Sequence, residues 1–233
     1  MLDVWYSLRP PEGPLFLDAE EQARHQRFLC PRTARTFAHA HTLKRCALSH
    51  RHPPHPPLSW QFENGAVGKP RVLGPVPTEF NLSHSGDSVA VAIADRPVGV
   101  DIECHRPLED GAGIARTVFH ARELQWLQAQ ADFLPAFYQL WTLKEAVLKA
   151  MGKGFFQAPE SLCWERLDDA LFTLVHEGQR WFARHLPLQG ASLAVAYGDA
   201  AMLQTLRWRA LKDRRANRLI ESLDPLSLDQ NGG

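Results

Sequence analysis

Ser88-Val89-Ala90-Val91-Ala92-Ile93-Ala94-Asp95-Arg96-Pro97-Val98-Gly99-Val100-Asp101-Ile102-Glu103 is the stretch whose reading decides the fold. Up to Ala94, bulky and small residues alternate as they do along a half-buried strand, and alternation resumes at Val98. Asp95-Arg96-Pro97 turns the chain between the two runs, which predicts an antiparallel hairpin. In the second run Val98, Val100 and Ile102 point one way, while Asp101 and Glu103 point the other. The two carboxylates then stand roughly 6.5–7 Å apart at their Cα atoms. Two anions so close resist ionisation. A divalent cation with a preference for oxygen ligands removes that penalty. Two solvated acids on an open strand face would satisfy the same pattern.

Working outward, Val4-Trp5-Tyr6-Ser7-Leu8 reads as a first strand, closed by Arg9-Pro10-Pro11. Residues 18–49 read as helical, with Asp18 as N-cap and Pro31 marking a break between two helices. Residues 50–57 are a proline- and histidine-rich connection, and Trp60-Gln61-Phe62 opens a strand-rich middle. Downstream, residues 106–113 read as a linker, 121–131 and 134–151 as helices, and the remainder as a second strand-rich portion. Ser88-Val89-Ala90-Val91-Ala92-Ile93-Ala94-Asp95 is echoed by Ser192-Leu193-Ala194-Val195-Ala196-Tyr197-Gly198-Asp199, which favours two similar lobes. The expected fold class is α/β (α+β), with two pseudo-symmetric lobes, each an antiparallel-rich sheet packed with helices. The expected bounds are 1–104 for the first lobe, 105–220 for the second, and 221–233 for a flexible tail.

The bulk composition narrows the function classes. With 45% hydrophobic residues the chain of 233 can build a real core, so disorder is excluded. Lys plus Arg and Asp plus Glu balance at 26 each, whereas a general nucleic-acid binder carries a basic excess. Cys30, Cys46, Cys104 and Cys163 lie far apart and match neither a zinc spacing nor a disulfide framework, so buried free thiols in a reducing compartment are expected. No signal peptide and no membrane-spanning run is legible, and the expected location is the cytoplasm.

Three further segments carry chemistry. Trp141-Thr142-Leu143-Lys144-Glu145-Ala146-Val147-Leu148-Lys149-Ala150-Met151 is helical, with Leu140, Leu143, Val147, Ala150 and Met151 in one apolar sector. Glu145 and Lys149 fall on the opposite side, either as an exposed ion pair or as a metal carboxylate and a cation for substrate phosphate. Gly152-Lys153-Gly154 ends that helix. Phe80-Asn81-Leu82-Ser83-His84-Ser85-Gly86 can present hydroxyl, imidazole and backbone N–H groups to an anion, and Gly68-Lys69-Pro70 holds a lysine on a rigid turn.

Taken in order, Gly68-Lys69-Pro70, Asn81-Leu82-Ser83-His84-Ser85, Gly99-Val100-Asp101-Ile102-Glu103 and Trp141-x-x-Lys144-Glu145-Ala146-x-x-Lys149 resemble the Sfp-type 4′-phosphopantetheinyl transferases. The similarity is strong over residues 60–155 and looser in the flanks. It implies two pseudo-symmetric lobes with coenzyme A and Mg2+ in the cleft between them. By the same resemblance Asp101, Glu103 and Glu145 are the metal carboxylates, and His84 and Lys149 the phosphate contacts. Lys69 and Ser83 belong to the coenzyme A pocket. Lys144 has a lesser part because its helical angle leans toward the packed side. Arg24, Arg32 and Arg35 are candidates for the 3′-phosphate.

The implied reaction is attack by a carrier-protein serine on the phosphate nearest the pantetheine arm, with 3′,5′-ADP leaving. Glu145, Lys149 and His84 form the catalytic set, with Glu145 the candidate base. Expected partners are coenzyme A and an acyl or peptidyl carrier protein, without nucleic acid or membrane, and the protein is expected to be a monomer. The competing reading is a Mg2+-dependent nuclease or phosphohydrolase, for which the arginines beyond Gln204 speak. A further alternative makes His39, His41, His50, His52 and His55 a transition-metal module, against which the prolines of that segment argue for a solvated loop.

Overall fold

The structure, a computed structural model, describes residues 1–10, 13–53, 55–64, 69–73, 76–152, 158–211 and 220–223, with Asn64 and the last four as backbone only. The elements are β1 (Leu2–Ser7), α1 (Ala19–Gln26), α2 (Pro31–Arg51), β2 (Gln61–Asn64), β3 (Pro70–Leu73), β4 (Glu79–Ser85), β5 (Ser88–Ala94) and β6 (Val98–Cys104). They continue with α3 (Gly111–Val118), α4 (Ala121–Gln128), α5 (Phe133–Met151), β7 (Glu165–Arg166), β8 (Leu171–His176), β9 (Gln179–Leu188), β10 (Ala191–Tyr197), β11 (Leu206–Leu211) and β12 (Ile220–Leu223). Asp18 caps α1 as expected, and Pro31 opens α2, where its missing N–H costs nothing.

The strands form two five-stranded sheets, β12-β11-β1-β5-β4 and β6-β10-β9-β8-β7, beside the small β2-β3 ribbon. All pairings are antiparallel except β1 with β11, which is parallel. The mixed α/β, antiparallel-rich architecture read from the sequence is therefore present.

Three expectations fail. β5 and β6 are not a hairpin: β1 and β4 take both edges of β5, and β6 pairs with β10. The physical reason lies in the faces. Ala90, Ala92 and Ala94 of β5 and Val98, Val100 and Ile102 of β6 bury against each other in one core. The strands therefore stack between sheets rather than lie side by side. The boundary at residue 104 fails for the same reason, since β6 already belongs to the second sheet and β11 and β12 return to the first. Ile220–Leu223 pairs as a strand, so the expected tail does not begin at 221; residues 224–233 lie outside the described residues.

Four layers result. Between the sheets lie Leu2, Val4, Tyr6, the alanines of β5, the apolar face of β6, and Leu193, Val195 and Tyr197. α2 covers the outer face of the first sheet with Ala40, Leu43, Ala47 and Leu48 against Trp5, Val89, Val91 and Ile93. α5 covers the second with Leu143, Ala146, Val147 and Ala150 against Ala183, Ala194, Ala196 and Phe172. No helix among the described residues is long and apolar enough to cross a membrane. The four cysteines are free, and contrary to the expectation of burial Cys30 is exposed and the others are half-buried.

Candidate active site

Gly99 seats α5 on β6. A Cβ built on Gly99 would lie 2.0 Å from the Ala146 carbonyl oxygen and 2.4 Å from the Ala150 nitrogen, so only glycine permits this approach. Gly99, Asp101 and Glu103 share the strand face turned to the helix, because Val98, Val100 and Ile102 face the inter-sheet core. The polar side of α5 thereby reaches the two acids.

Asp101 is 2% exposed. Its Oδ1 accepts from Ser83 Oγ at 2.7 Å and from Lys149 Nζ at 2.6 Å, while Lys149 Nζ also donates to Ser83 Oγ at 3.1 Å. Lys149 thus pairs across elements with Asp101, from its half-buried place on α5. The other carboxylate oxygen, Oδ2, is buried without a hydrogen-bond partner. Such an atom costs free energy unless something outside the chain meets it.

Glu103 accepts from Ser85 Oγ at 2.6 Å. Burial pushes its carboxyl above the ordinary range and Asp101 adds to that, while Ser85, Lys149 and Arg106 act the other way. Glu145 is pushed up by burial, then by Asp101 and Glu103, against the pull of Lys149. The three acids therefore feel one another's charge. Among the described residues no three His, Cys, Asp or Glu side chains form a closed metal cage as they stand. The donor set nevertheless suits a hard cation: carboxylate groups only, one with an orphaned oxygen, two others pushed toward protonation by burial first and by neighbouring carboxylates second.

The remaining expected residues distribute around this centre. His84 lies exposed on the other face of β4, its imidazole lowered by desolvation and by Lys149, with Asp101 opposing. Lys69 Nζ donates to the Val98 carbonyl at 3.1 Å and faces Glu79 at 3.7 Å, and burial lowers its ammonium. Gly68, Lys153, Gly154, Lys212, Arg214, Arg215 and Arg218 lie outside the described residues. Arg32 pairs with Asp87 at 3.2 Å, Arg24 lies over the Phe37 ring, and Arg35 is exposed on α2.

Lys144 is not brought to the centre. It is 1% exposed, paired with Glu123 at 2.7 Å, and donates to the carbonyls of Pro159 and Leu162. Its expected part in binding the cofactor gives way to anchoring α5. The histidines also disperse: His41 meets Glu21, His52 meets Thr78, His50 packs on Trp5 and His55 on Trp60, and His39 is buried in α2. Sequence reasoning passed over Gly99 as a contact point, and over Asn81, Ser85 and Arg106. The period-two spacing of Asn81, Ser83 and Ser85 was the available signal for the first two.

Residues 97–198 match the family model described as the 4′-phosphopantetheinyl transferase superfamily. The 4′-phosphopantetheinyl transferase gsp of Aneurinibacillus migulanus is 43% identical over 97 residues, 41% of this chain and 39% of that protein. The 4′-phosphopantetheinyl transferase psf-1 of Bacillus pumilus is 42% identical over 116 residues, 48% of each chain. A putative 4′-phosphopantetheinyl transferase of Synechocystis sp. is 32% identical over 162 residues, 65% of each. The chain spans less than two thirds of each of these relatives. The resemblance to the superfamily holds over this segment, which runs from the start of β6 to the end of β10 and contains the motifs at Gly99–Glu103 and Trp141–Lys149.

Proposed function

We propose that this chain, whose residues 97–198 carry the sequence of the 4′-phosphopantetheinyl transferase superfamily, moves the phosphopantetheine arm of coenzyme A to a serine of an acyl or peptidyl carrier protein and releases 3′,5′-ADP. The observation that carries the reading is the orphaned Asp101 Oδ2, buried beside two carboxyls that burial and neighbouring charge drive toward protonation. Asp101, Glu103 and Glu145 would hold Mg2+. When bound, the ion supplies neutralisation of the pyrophosphate charge that grows as the phosphate–oxygen bond breaks.

The side chains do the rest. Lys149, held between Asp101 and Ser83, is a positive donor for the phosphate oxygens. Glu145, the carboxylate carried by α5 beside Lys149, is the candidate to take the serine proton. His84 offers a hydrogen bond to phosphate from the outer face of β4. Lys69, Arg24, Arg32 and Arg35 are the cations available to the rest of coenzyme A.

The test is the intact mass of an apo carrier protein incubated with this protein, coenzyme A and Mg2+. A gain of one phosphopantetheinyl group is expected, and Asp101→Asn should cut the rate by at least about 100-fold while remaining folded. Hydrolysis of DNA, RNA or nucleotides without coenzyme A, and no mass gain on any carrier protein, would replace this reading with the phosphohydrolase.

A further inference from the structure

We propose that β4 aligns the two carboxylates of β6 through a ladder of side chains, in which Ser85 is the positioning residue for Glu103. The inference rests on the metal-centre reading above and concerns chiefly Asn81 and Ser85, which that reading leaves without a role. β4 is the outer strand of the first sheet and β6 the outer strand of the second. They meet edge to edge with side chains in place of a backbone ladder. Phe80 and Leu82 pack on the α2 side, so Asn81, Ser83 and Ser85 face the other way by strand alternation.

The three reach β6 at successive positions. Val100 N–H donates to Asn81 Oδ1 at 2.8 Å. Ser83 Oγ donates to Asp101 Oδ1 at 2.7 Å. Ser85 Oγ donates to Glu103 Oε2 at 2.6 Å and accepts from Cys104 N–H at 3.2 Å and Arg106 Nη2 at 3.5 Å. Asn81, Ser83 and Ser85 are buried at 9%, 7% and 6% exposure, so water does not compete for these bonds.

One hydroxyl therefore ties the β6 backbone and the Glu103 carboxylate together, using its single donor and both acceptor sites. That fixes the strand against β4 and the rotation of the carboxyl group at once. A glutamate held by nothing on this side would sample several rotamers, and bringing it to an ion would cost that freedom. Partners of this kind outside the ligand set are worth about 10–100-fold in metal affinity.

Mn2+ binding by the full chain, followed through the paramagnetic resonance of free Mn2+ without coenzyme A, tests this independently of turnover. Ser85→Ala should weaken binding by about 10-fold or more, and Ser85→Thr, which keeps the hydroxyl, should restore most of it. Asn81→Ala, which frees the Val100 amide without touching a carboxylate, should give a smaller loss. Equal affinity of Ser85→Ala and the native chain overturns the ladder. Should Ser85→Ala not fold, equal affinity of Asn81→Ala and the native chain overturns it. If the native chain itself takes up no Mn2+, the metal-centre reading falls and this inference with it, so the two failures are told apart by which protein lacks binding.

Discussion

The two halves of the molecule are assembled from the same parts and differ in what lies under the long helix. Each contains, ahead of its long helix, a short helix whose capping-box glutamate accepts the N-cap backbone, Glu21 in α1 and Glu123 in α4. Each of those glutamates also takes a buried lysine from the next long helix, Lys44 at 2.8 Å and Lys144 at 2.7 Å. Each long helix then leads to a short turn, Pro57–Ser59 or Pro159–Ser161, whose proline carbonyl accepts from a buried base, Arg45 or Lys144. The floors differ. β5 turns Val89, Val91 and Ile93 toward α2, whereas β10 turns only Ala194 and Ala196 toward α5 and keeps Leu193, Val195 and Tyr197 for the inter-sheet core. With Gly99 beside those alanines, α5 lies close enough for Lys149 to reach Asp101. The same alternating pattern, used with opposite faces, leaves among the described residues an apolar floor under α2 and room for the buried acids beside α5.

The largest effects should come from the shared anchors. Glu123→Ala leaves a lysine whose side chain is 2% exposed without its counter-charge, and Glu21→Ala does the same to Lys44 and removes one of the two carboxylates on Arg45, whose other is Asp18. Breaking a buried pair from one side costs about 3–5 kcal/mol, so both variants should fall by that order in urea unfolding. The halves then part company. Glu123→Ala should also weaken Mn2+ binding because it loosens α5, and Glu21→Ala should leave binding near native. Equal loss of binding in both would mean that the floor is not what separates them.

Next in size is the floor itself. Gly99→Ala drives a methyl into the Ala146 carbonyl and should cost about 1–3 kcal/mol, with a fall in transfer rate beyond what the lost stability explains. Ile93→Val trims the opposite floor and should cost about 0.5–1.5 kcal/mol with the rate unchanged. A Gly99→Ala protein with native stability and rate would show that the close approach of α5 is dispensable.

How far these features were legible depends on how local their cause is. The shared face of Asp101 and Glu103 follows from the two-residue repeat of one strand, whichever sheet it joins, so it could be read directly. The partner of that strand could not. β6 chooses β10 because β1, distant in the chain, and β4, the hairpin neighbour of β5, already occupy both edges of β5, and a tight turn at Asp95–Pro97 is compatible with either outcome. The return of Leu206–Leu211 to pair in parallel with β1 has no turn to announce it. Lys144 lay on the packed side of its helix by angle alone, but its destination required noticing His120-x-x-Glu123 as a capping box. Ser85 and Asn81 were in view within a polar strand, yet their role depends on two sheet edges meeting.

The smallest effect sharpens the comparison through pH. Burial raises Glu21, but hydrogen bonds from His41, Arg45 and Lys44 outweigh it and hold the carboxyl far below the ordinary range. Its stabilisation is present above the ordinary carboxylate pKa and is lost as pH falls toward the depressed value. Glu103 and Glu145 are raised, so the folded chain binds their protons more tightly than the unfolded one, and stability declines as pH climbs from about 4 through their raised values. Glu145→Gln should therefore stabilise the metal-free protein at pH 8, by less than about 1 kcal/mol because the group is half-exposed, and change little near pH 4. Mg2+ should raise the thermal midpoint of the native chain more at pH 8 than at pH 5, since protons compete for the same oxygens. A Glu145→Gln protein that is less stable than native at pH 8 would show that Glu145 anchors the fold as Glu123 does, and the distinction between a strained half and a settled one would be lost.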